Sequence, residues 1–254
     1  WPAKGWAQGL FYIDLQPKPN AYLAKSIFSE NEPVVHICVQ EQSQDIEWNG
    51  VKQRIRRLTD HWTRSEGEKL NITLYTNADE VELMVNGKSL GVKQNDRANP
   101  KTRNQVRWEP VSYEAGYIEA VARNDGKVVA RHRVETAGQA VALRLIPDNT
   151  QWQADGIDLQ HVVVQAVDKK GRIVPAADND IQFNLEGNAQ LVAVSSGDHY
   201  SDELTFTNHR RLFDGQCLAI LRASQDAGQI TLTASCNGLK TARLRLSTHP
   251  VPVQ

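Results

Sequence analysis

The sequence predicts an all-β chain of two tandem immunoglobulin-like β-sandwiches with a short N-terminal helical segment. Three observations support this fold class. Apolar and polar residues alternate in many short runs, such as residues 181–185, which is typical of strands that bury one face. Turn residues separate the runs, most clearly Asn86-Gly87 and Asp125-Gly126. Gly138 lies between two complete sets of runs, which indicates a domain boundary near residues 137–139.

Length and composition agree with two globular domains. The chain has 254 residues, of which 40% are hydrophobic and 23% charged, so it holds enough apolar material for two cores. The net charge of −1 gives no reason to expect nucleic acid as a partner. No apolar run approaches the ~20 residues that span a bilayer, so no membrane partner is expected. The start at Trp1-Pro2 has neither a Met nor a signal peptide, and we interpret it as a cut from a longer chain.

The Asn86-Gly87 turn fixes a predicted strand register. Both residues tolerate positive φ, which a type I′ turn requires. Pairing outward from this turn places Val85 opposite Lys88, Leu83 opposite Leu90 and Val81 opposite Val92. The apolar pairs then share one face, so turn and alternation agree.

A helix is predicted near the start of the chain. Asn20 is a suitable N-cap, and residues 21–29 continue with Tyr22 among their apolar positions. Pro17 and Pro19 precede this stretch and are expected to block an earlier start. A helix does not belong to a sandwich and needs its own explanation.

No complete catalytic site is expected within this chain. Its acidic residues cluster in predicted turns, where backbone solvation accounts for them, and no GxSxG or HExxH motif occurs. We therefore predict no catalytic residues, no metal site and no cofactor. Calcium at the loop 197–203 is a weak hypothesis, because that loop lacks EF-hand spacing.

Tryptophans offer the only candidates for sugar contact. Trp48, Trp62, Trp108 and Trp152 could stack on a pyranose ring, although packing in a core is the commoner role of tryptophan. Trp108 lies in a strand-like run and is predicted to be core. Trp62 lies in a polar stretch and stays a weak candidate for substrate binding.

The cysteines allow one local inference. If residues 216–223 and 229–236 form a hairpin centred on Asp226-Ala227, Cys217 faces Cys236 on the apolar face. Two buried thiols are the favoured interpretation, and a strained cross-strand disulfide is the alternative.

Several motifs carry a family resemblance. Residues 74–91 read Leu-Tyr-Thr-Asn-Ala-Asp-Glu-Val-Glu-Leu-Met-Val-Asn-Gly-Lys-Ser-Leu-Gly and resemble the immunoglobulin-like module that follows the catalytic barrel in glycoside hydrolase family 2 β-galactosidases. Trp1-Pro2-Ala3-Lys4, Asp14 and Pro17-Lys18-Pro19 resemble the last barrel segment and its closing helix. Ala154-Asp155-Gly156 and Arg211-Leu212-Phe213-Asp214-Gly215 resemble a bacterial immunoglobulin-like module.

The resemblance implies a domain organisation and a role. Residues 1–30 would be the remnant of a (β/α)8 barrel end, residues 31–137 the first sandwich and residues 138–254 the second. The chain would then be the non-catalytic C-terminal accessory region of a retaining β-galactosidase-like enzyme. Its partner would be the upstream barrel of the same parent chain, with a glycan as a further candidate, and an extracytoplasmic location is implied through the family.

One departure from the family pattern accompanies the resemblance. The polar insert at residues 41–60, with Arg54, Arg56 and Arg57, separates the first strand from His61-Trp62. Two alternative functions stay open. A carbohydrate-binding module needs exposed rings or a polar groove, and a surface adhesion tandem leaves residues 1–28 unexplained.

Overall fold

The structure is a computed structural model that describes residues 9–29, 31–41, 44–48, 50–55 and 57–251. It confirms the predicted all-β class. Helix α1 spans Pro19–Phe28. The strands are β1 Val35–Gln40, β2 Gln44–Trp48, β3 Val51–Ile55, β4 Leu58–Thr59, β5 Lys69–Thr76, β6 Glu80–Val85, β7 Lys88–Gln94, β8 Gln105–Ser112, β9 Tyr117–Asn124, β10 Lys127–Glu135, β11 Ala142–Pro147, β12 Leu159–Val167, β13 Asp180–Gly187, β14 Ala189–Ser195, β15 His209–Arg211, β16 Gln216–Ala223, β17 Gln229–Ser235 and β18 Ala242–Ser247.

The chain divides into two compact units. The first unit comprises the described residues of 17–136 and therefore includes α1. The second unit comprises the described residues of 9–16 together with those of 137–251. The segment before α1 thus folds with the part of the chain that follows residue 136.

The first unit is a sandwich of two four-stranded antiparallel sheets. One sheet has the order β4-β1-β5-β8 and the other the order β10-β9-β6-β7. Alternate residues of β6 are buried (Val81, Leu83 and Val85), as period-two patterning requires. They meet residues such as Leu74 of β5 in one apolar core.

The second unit repeats this architecture. Its sheets have the orders β11-β12-β16-β14 and β15-β13-β17-β18. The predicted alternation in β13 is confirmed, because Ile181 and Phe183 are buried and the residue between them is exposed. Trp152 and Leu221 belong to the same core.

The predicted register of the β6–β7 hairpin is correct only beside its turn. Asn86 and Gly87 have φ of 49° and 81°, and Val85 pairs with Lys88 as predicted. Beyond Ser89 the register shifts, so that Val92 pairs with Glu82 and not with Val81. The physical reason is a bulge at Gly91, whose φ is 100°. One extra residue in a strand moves the side chains that follow it to the opposite face of the sheet.

This bulge also overturns the predicted burial of β7. Leu90 is 37% exposed and Val92 is 49% exposed, whereas the prediction placed both on the core face. β7 lies at the edge of its sheet, so its side chains do not need to fill the core.

The predicted hairpin between residues 216–223 and 229–236 is wrong. β16 pairs with β12 and β14, whereas β17 pairs with β13 and β18. The intervening turn therefore connects the two sheets of the sandwich. Cys38, Cys217 and Cys236 are all free thiols. Cys217 is buried as the favoured interpretation predicts, and burial raises its pKa far above its usual range, whereas Cys236 is only partly buried.

Helix α1 begins two residues earlier than predicted. Pro19 is the first helical residue and Lys18 is the N-cap. Proline suits this position because it has no N–H to leave unpaired and its φ is already helical. Asn20 therefore lies inside the helix. Among the described residues, no helix is long and apolar enough to cross a bilayer.

The polar insert forms a β2–β3 hairpin, and β4 then pairs with β1 through Val39 and Thr59. Arg56 lies outside the described residues, and the same holds for the side chains of Arg54 and Trp48. Arg57 is described and lies 3.7 Å from a carboxylate oxygen of Glu41.

Two glycines of the second unit allow a matched test of the backbone geometry. A Cβ added to Gly187, at the end of β13, would lie 2.2 Å from the carbonyl oxygen of Gln229. A Cβ on Gly238 would have no atom within 4 Å, although both glycines have positive φ.

We expect Gly238→Ala to lower the free energy of unfolding by about 1–2 kcal/mol, the cost of a left-handed conformation. Gly187→Ala should cost at least about 2 kcal/mol more, because the β13 and β17 backbones must also separate. Urea unfolding of the two variants measures the difference. Equal losses would contradict the β13–β17 packing.

Candidate docking surface

Residues 9–16 present an apolar face to solvent on the second unit. Phe11, Ile13 and Leu15 are 56%, 46% and 60% exposed, and Leu10 is 42% exposed. The intervening residues Tyr12 and Asp14 are turned inward. The alternation therefore resembles that of a strand, but its apolar side faces outward.

Backbone hydrogen bonds within residues 9–16 fix the conformation of this segment. The backbone N–H of Tyr12 donates to the carbonyl of Gln16 at 2.8 Å, and that of Leu15 donates to the carbonyl of Tyr12 at 3.0 Å. Leu15 has a φ of 67°, an uncommon conformation for a branched residue. This defined backbone fixes the direction of the exposed side chains.

Aromatic packing attaches the segment to the β-sandwich from below. The ring of Tyr12 lies 6.2 Å from that of Phe213, edge to face, and 6.1 Å from that of His199. Gly197 makes this approach possible, since an added Cβ would lie 3.0 Å from Phe213 and 3.3 Å from Tyr12.

The second attachment is the buried carboxyl group of Asp14, on which the charge of the buried Arg210 acts. Asp14 and Arg210 are 4% and 2% exposed. Burial raises the pKa of the Asp14 carboxyl, while backbone N–H groups, including that of Gln16, and the charge of Arg210 oppose this rise. A buried charge of this kind is tolerated only when it is paired and hydrogen-bonded.

The guanidinium of Arg210 is held on its other sides as well. Nε and Nη2 donate to the Ser196 hydroxyl at 3.1 and 2.9 Å. Nη1 donates to the carbonyl of Glu203 at 3.4 Å, and the Glu203 carboxylate lies 3.7 Å away. Arg210 is therefore bound to the loop that connects β14 and β15, and its charge acts on Asp14 in residues 9–16.

Helix α1 forms a comparable apolar edge on the first unit. Ile27 and Phe28, in its last turn, are 41% and 82% exposed. On its other side, the ring of Tyr22 stacks on His36 of β1 with centroids 3.5 Å apart. His36 in turn stacks on His132 of β10 at 4.5 Å.

Asparagine side chains fix the position of α1. Asn104 is 5% exposed, and its Nδ2 donates to the carbonyl of Ser26 at 2.9 Å. Nδ2 of Asn77 donates to the carbonyl of Ser29 at 3.1 Å. Oδ1 of Asn20 accepts a hydrogen bond from the hydroxyl of Tyr75 at 2.9 Å. The helix is thus held by polar contacts while its apolar end stays open.

Burial of His132 and the proximity of His36 lower the pKa of His132 to about 4, and Asp60 opposes this effect. Nδ1 of His132 accepts a hydrogen bond from the backbone N–H of Ile37 at 2.9 Å. Both observations favour the neutral imidazole in the folded protein.

The tryptophan predicted as a weak sugar contact is enclosed. Trp62 is 0% exposed, its Nε1 donates to the carbonyl of Glu114 at 3.2 Å, and its ring lies 5.1 Å from that of Tyr113. It therefore has no free face for a pyranose in this structure. Trp108 and Trp152 are also buried, as predicted for Trp108.

The loop proposed for calcium has a different arrangement from an EF-hand. Its Glu203 comes together with Asp180 and His209, whose ligand atoms all lie within 4.8 Å of one another. Glu203 already accepts a hydrogen bond from the backbone N–H of Arg211 at 3.1 Å and lies beside Arg210. The positive charge of Arg210 beside Glu203 opposes the binding of a metal cation there.

Neither the Asp14–Arg210 pair nor the Tyr22–His36–His132 stack was predicted from the sequence. The alternation of Phe11, Ile13 and Leu15 around two inward residues was the available signal. It marks an extended segment with one apolar face, but it does not identify the partner that covers this face.

The fold and these surfaces define a class: tandem immunoglobulin-like sandwiches with an ordered apolar edge. Residues 143–245 match glycoside hydrolase family 2 C-terminal domain 5, and residues 67–130 match a domain of unknown function (DUF4982). The chain corresponds to the C-terminal region of glycoside hydrolase family 2 proteins.

Curated proteins are similar to half of the chain or to nearly all of it. The β-galactosidase BoGH2A of Bacteroides ovatus is 35% identical over 248 residues, which is 97% of this chain and 26% of that protein. A β-galactosidase of Thermoanaerobacter pseudethanolicus is 32% identical over 146 residues, 53% of this chain and 19% of that protein. The chain thus spans about a quarter or less of these curated relatives.

Solved structures agree with the fold. A glycosyl hydrolase family 2 member from Bacteroides cellulosilyticus superposes with a TM-score of 0.86 at 30% identity, covering 95% of this chain and 31% of that chain. A β-glycosidase from Bacteroides vulgatus gives a TM-score of 0.82 at 27% identity, covering 98% and 29% respectively.

Removing the buried cation is expected to be costly. Arg210→Met should lower the free energy of unfolding by about 3 kcal/mol, because Glu203 loses its ion-pair partner and the buried Asp14 loses a nearby opposing charge. Arg222→Met, at an exposed arginine of the same unit, should change it by less than about 0.5 kcal/mol. Urea unfolding compares them, and a small loss for Arg210→Met would show that Arg210 is not enclosed in solution.

His132 should make the first unit sensitive to acid. An unfolded histidine titrates near pH 6.5, above the folded pKa of about 4, so stability present above pH 6.5 is lost as the pH falls toward 4. We expect this group to contribute a loss of about 1 kcal/mol between pH 7 and pH 5, after allowance for solvent screening.

His132→Asn removes the titrating ring and keeps an acceptor near the Nδ1 position. Its free energy of unfolding, measured in urea at both pH values, should fall less between pH 7 and pH 5 than that of the unmodified chain. His249→Asn, at an exposed histidine of the second unit, is the control. An unchanged pH dependence in His132→Asn would rule out this role.

Proposed function

We propose that this chain is the non-catalytic C-terminal accessory region of a retaining, β-galactosidase-type glycoside hydrolase. In this role, residues 9–16 pack against the upstream catalytic barrel of the same parent chain. The observation that carries the proposal is the outward apolar face of Phe11, Ile13 and Leu15 on a segment fixed from below.

An apolar face of this kind is uncommon on a protein surface that stays in contact with solvent. Contiguous exposed apolar residues usually mark a contact with another body. Covering side chains as exposed as these would contribute on the order of 1 kcal/mol each. Because Tyr12 and Asp14 already hold the backbone in place, little conformational entropy remains to be lost on docking.

The barrel is the partner that fits the sequence best. The motifs at residues 1–19 resemble a barrel end, so we assign residues 1–30 to the edge of that barrel. The accessory region would support the barrel and shape the rim of its active-site cleft.

The parent reaction is inferred from the relatives. BoGH2A and the Thermoanaerobacter protein are both named β-galactosidases. Retaining hydrolysis needs a nucleophilic carboxylate and an acid/base carboxyl group at close range, which we place on the barrel. A surface adhesion tandem would leave the apolar face of residues 9–16 without a partner.

A reconstitution experiment tests the proposal. The catalytic barrel of the parent is produced separately and mixed with this chain, and association is measured by sedimentation. We expect the chain alone to show no hydrolysis of an aryl β-galactoside and to bind the barrel. The triple variant Phe11→Ser, Ile13→Ser and Leu15→Ser should bind at least about tenfold more weakly, because the lost apolar burial exceeds 1.4 kcal/mol.

The control is Ile157→Ser, which removes an equally apolar side chain that is 75% exposed elsewhere on the second unit. It should leave barrel binding unchanged. Thermal unfolding checks that both variants fold. Hydrolysis by the chain alone, or full binding by the folded triple variant, would refute the proposal.

A further inference from the structure

The loop between β14 and β15 encloses a small pocket on the second unit. Its volume is about 290 Å³, and it opens to solvent. The lining combines an aromatic ring, hydroxyl groups, carboxylates and a guanidinium, contributed by Asp198, Tyr200, Ser201, Asp202, Glu203 and Arg211 among others.

Hydrogen bonds within the loop hold the pocket wall in place. The backbone N–H of Tyr200 donates to Oδ1 of Asp198 at 2.9 Å. The hydroxyl of Ser201 donates to Oε2 of Glu203 at 3.0 Å. Underneath, Arg210 binds the Ser196 hydroxyl and the Glu203 carbonyl. Little ordering would therefore be required when a ligand binds.

Several groups in the pocket remain available to a ligand. Tyr200 is 52% exposed, so one ring face is open. Within the part of the chain that the structure describes, the exposed carboxylate of Asp202 has no hydrogen bond or ion pair. The guanidinium of Arg211 is directed by a hydrogen bond from its Nη1 to the carbonyl of Asp178 at 3.1 Å.

We propose that this pocket binds one residue of a neutral glycan. A pyranose has an apolar C–H face that packs on an aromatic ring, here Tyr200. Its vicinal hydroxyl groups donate to carboxylates, which are acceptors only, here Asp198 and Asp202. Arg211 donates to a ring or hydroxyl oxygen.

The charge of the pocket selects against acidic sugars. Among the described residues that line it, Asp198, Asp202 and Glu203 are acidic and Arg211 is the one basic residue. Arg210 beneath the wall offsets the charge of Glu203, so that Asp198 and Asp202 still outnumber Arg211. A uronate would bring a further negative charge within a few ångströms of these carboxylates, which is unfavourable. The volume suits a single sugar residue, and the opening lets a longer chain continue into solvent.

This proposal does not depend on the barrel. The pocket is built entirely from residues of the second unit, so it can be tested on this chain whether or not residues 9–16 dock as proposed. A failure of barrel binding and a failure of sugar binding are therefore separate results.

The test is a titration of this chain with methyl β-D-galactopyranoside, methyl β-D-glucopyranoside and methyl β-D-glucuronide, followed by NMR shifts of the loop amides. We expect saturable binding of at least one neutral glycoside with a Kd in the millimolar range, about 1–10 mM. The glucuronide should bind at least about fivefold more weakly than that glycoside.

Two variants and one control locate the site. Tyr200→Ala and Asp202→Asn should each weaken binding by about fivefold to tenfold, the cost of one lost stacking or charged hydrogen-bond contact. Phe206→Ala should bind normally, since Phe206 is 85% exposed on the same loop but does not line the pocket.

Three results would overturn the proposal. The first is no saturable shift with either neutral glycoside at 50-fold the highest expected Kd, a concentration of about 0.5 M. The second is binding that Tyr200→Ala and Asp202→Asn leave intact although both variants are folded. The third is binding abolished by EDTA, because the ligand would then be held by a cation and not by these side chains.

Discussion

Arg210 is the group on which the functional surfaces of the second unit depend. Its guanidinium is almost fully enclosed, and an enclosed cation is tolerated only if each of its donors finds an acceptor. Ser196 and Glu203 supply acceptors, and the charge of Arg210 also acts on the Asp14 carboxyl. The same side chain thereby orders the pocket wall at residues 196–203 and influences the outward segment at residues 9–16 through its charge. A change at this position would alter two surfaces at once.

In the first unit, neutral groups fix the position of an element that exposes apolar residues. Helix α1 must be held firmly while its last turn remains apolar and open. Asn77 and Asn104 bond backbone carbonyls of the helix end, and such bonds to main-chain groups do not depend on the side chains that the helix presents outward. The Tyr22–His36–His132 stack adds flat contact area on the opposite side. Position is thus fixed by polar and aromatic contacts, and the aliphatic residues remain available for another body.

Local signals predicted local structure well. Asn86-Gly87 identified its turn and the adjacent pair because both depend on two backbone conformations. The bulge at Gly91 was missed, since a glycine within an alternating run does not reveal whether it pairs or bulges. The β16–β17 connection was misassigned because sheet membership depends on partners distant in sequence. The interaction between the charges of Asp14 and Arg210 has the same origin, and so does the burial of Trp62, whose polar neighbours in sequence suggested exposure. Alternation and turn residues identified the class of fold, but pairing across the sandwich located the surfaces.

The bulge in β7 has a consequence for how the chain behaves at high concentration. β7 is an unpaired sheet edge that exposes Leu90 and Val92, and a flat apolar edge is a template for adding a strand from another copy. A bulge bends the strand and interrupts its row of donors and acceptors. Lys93, whose Nζ lies over the Trp108 ring at 4.9 Å, adds a charge beside the same edge. Gly91, whose bulge shifts the register of β7, thereby also discourages fibrous self-association.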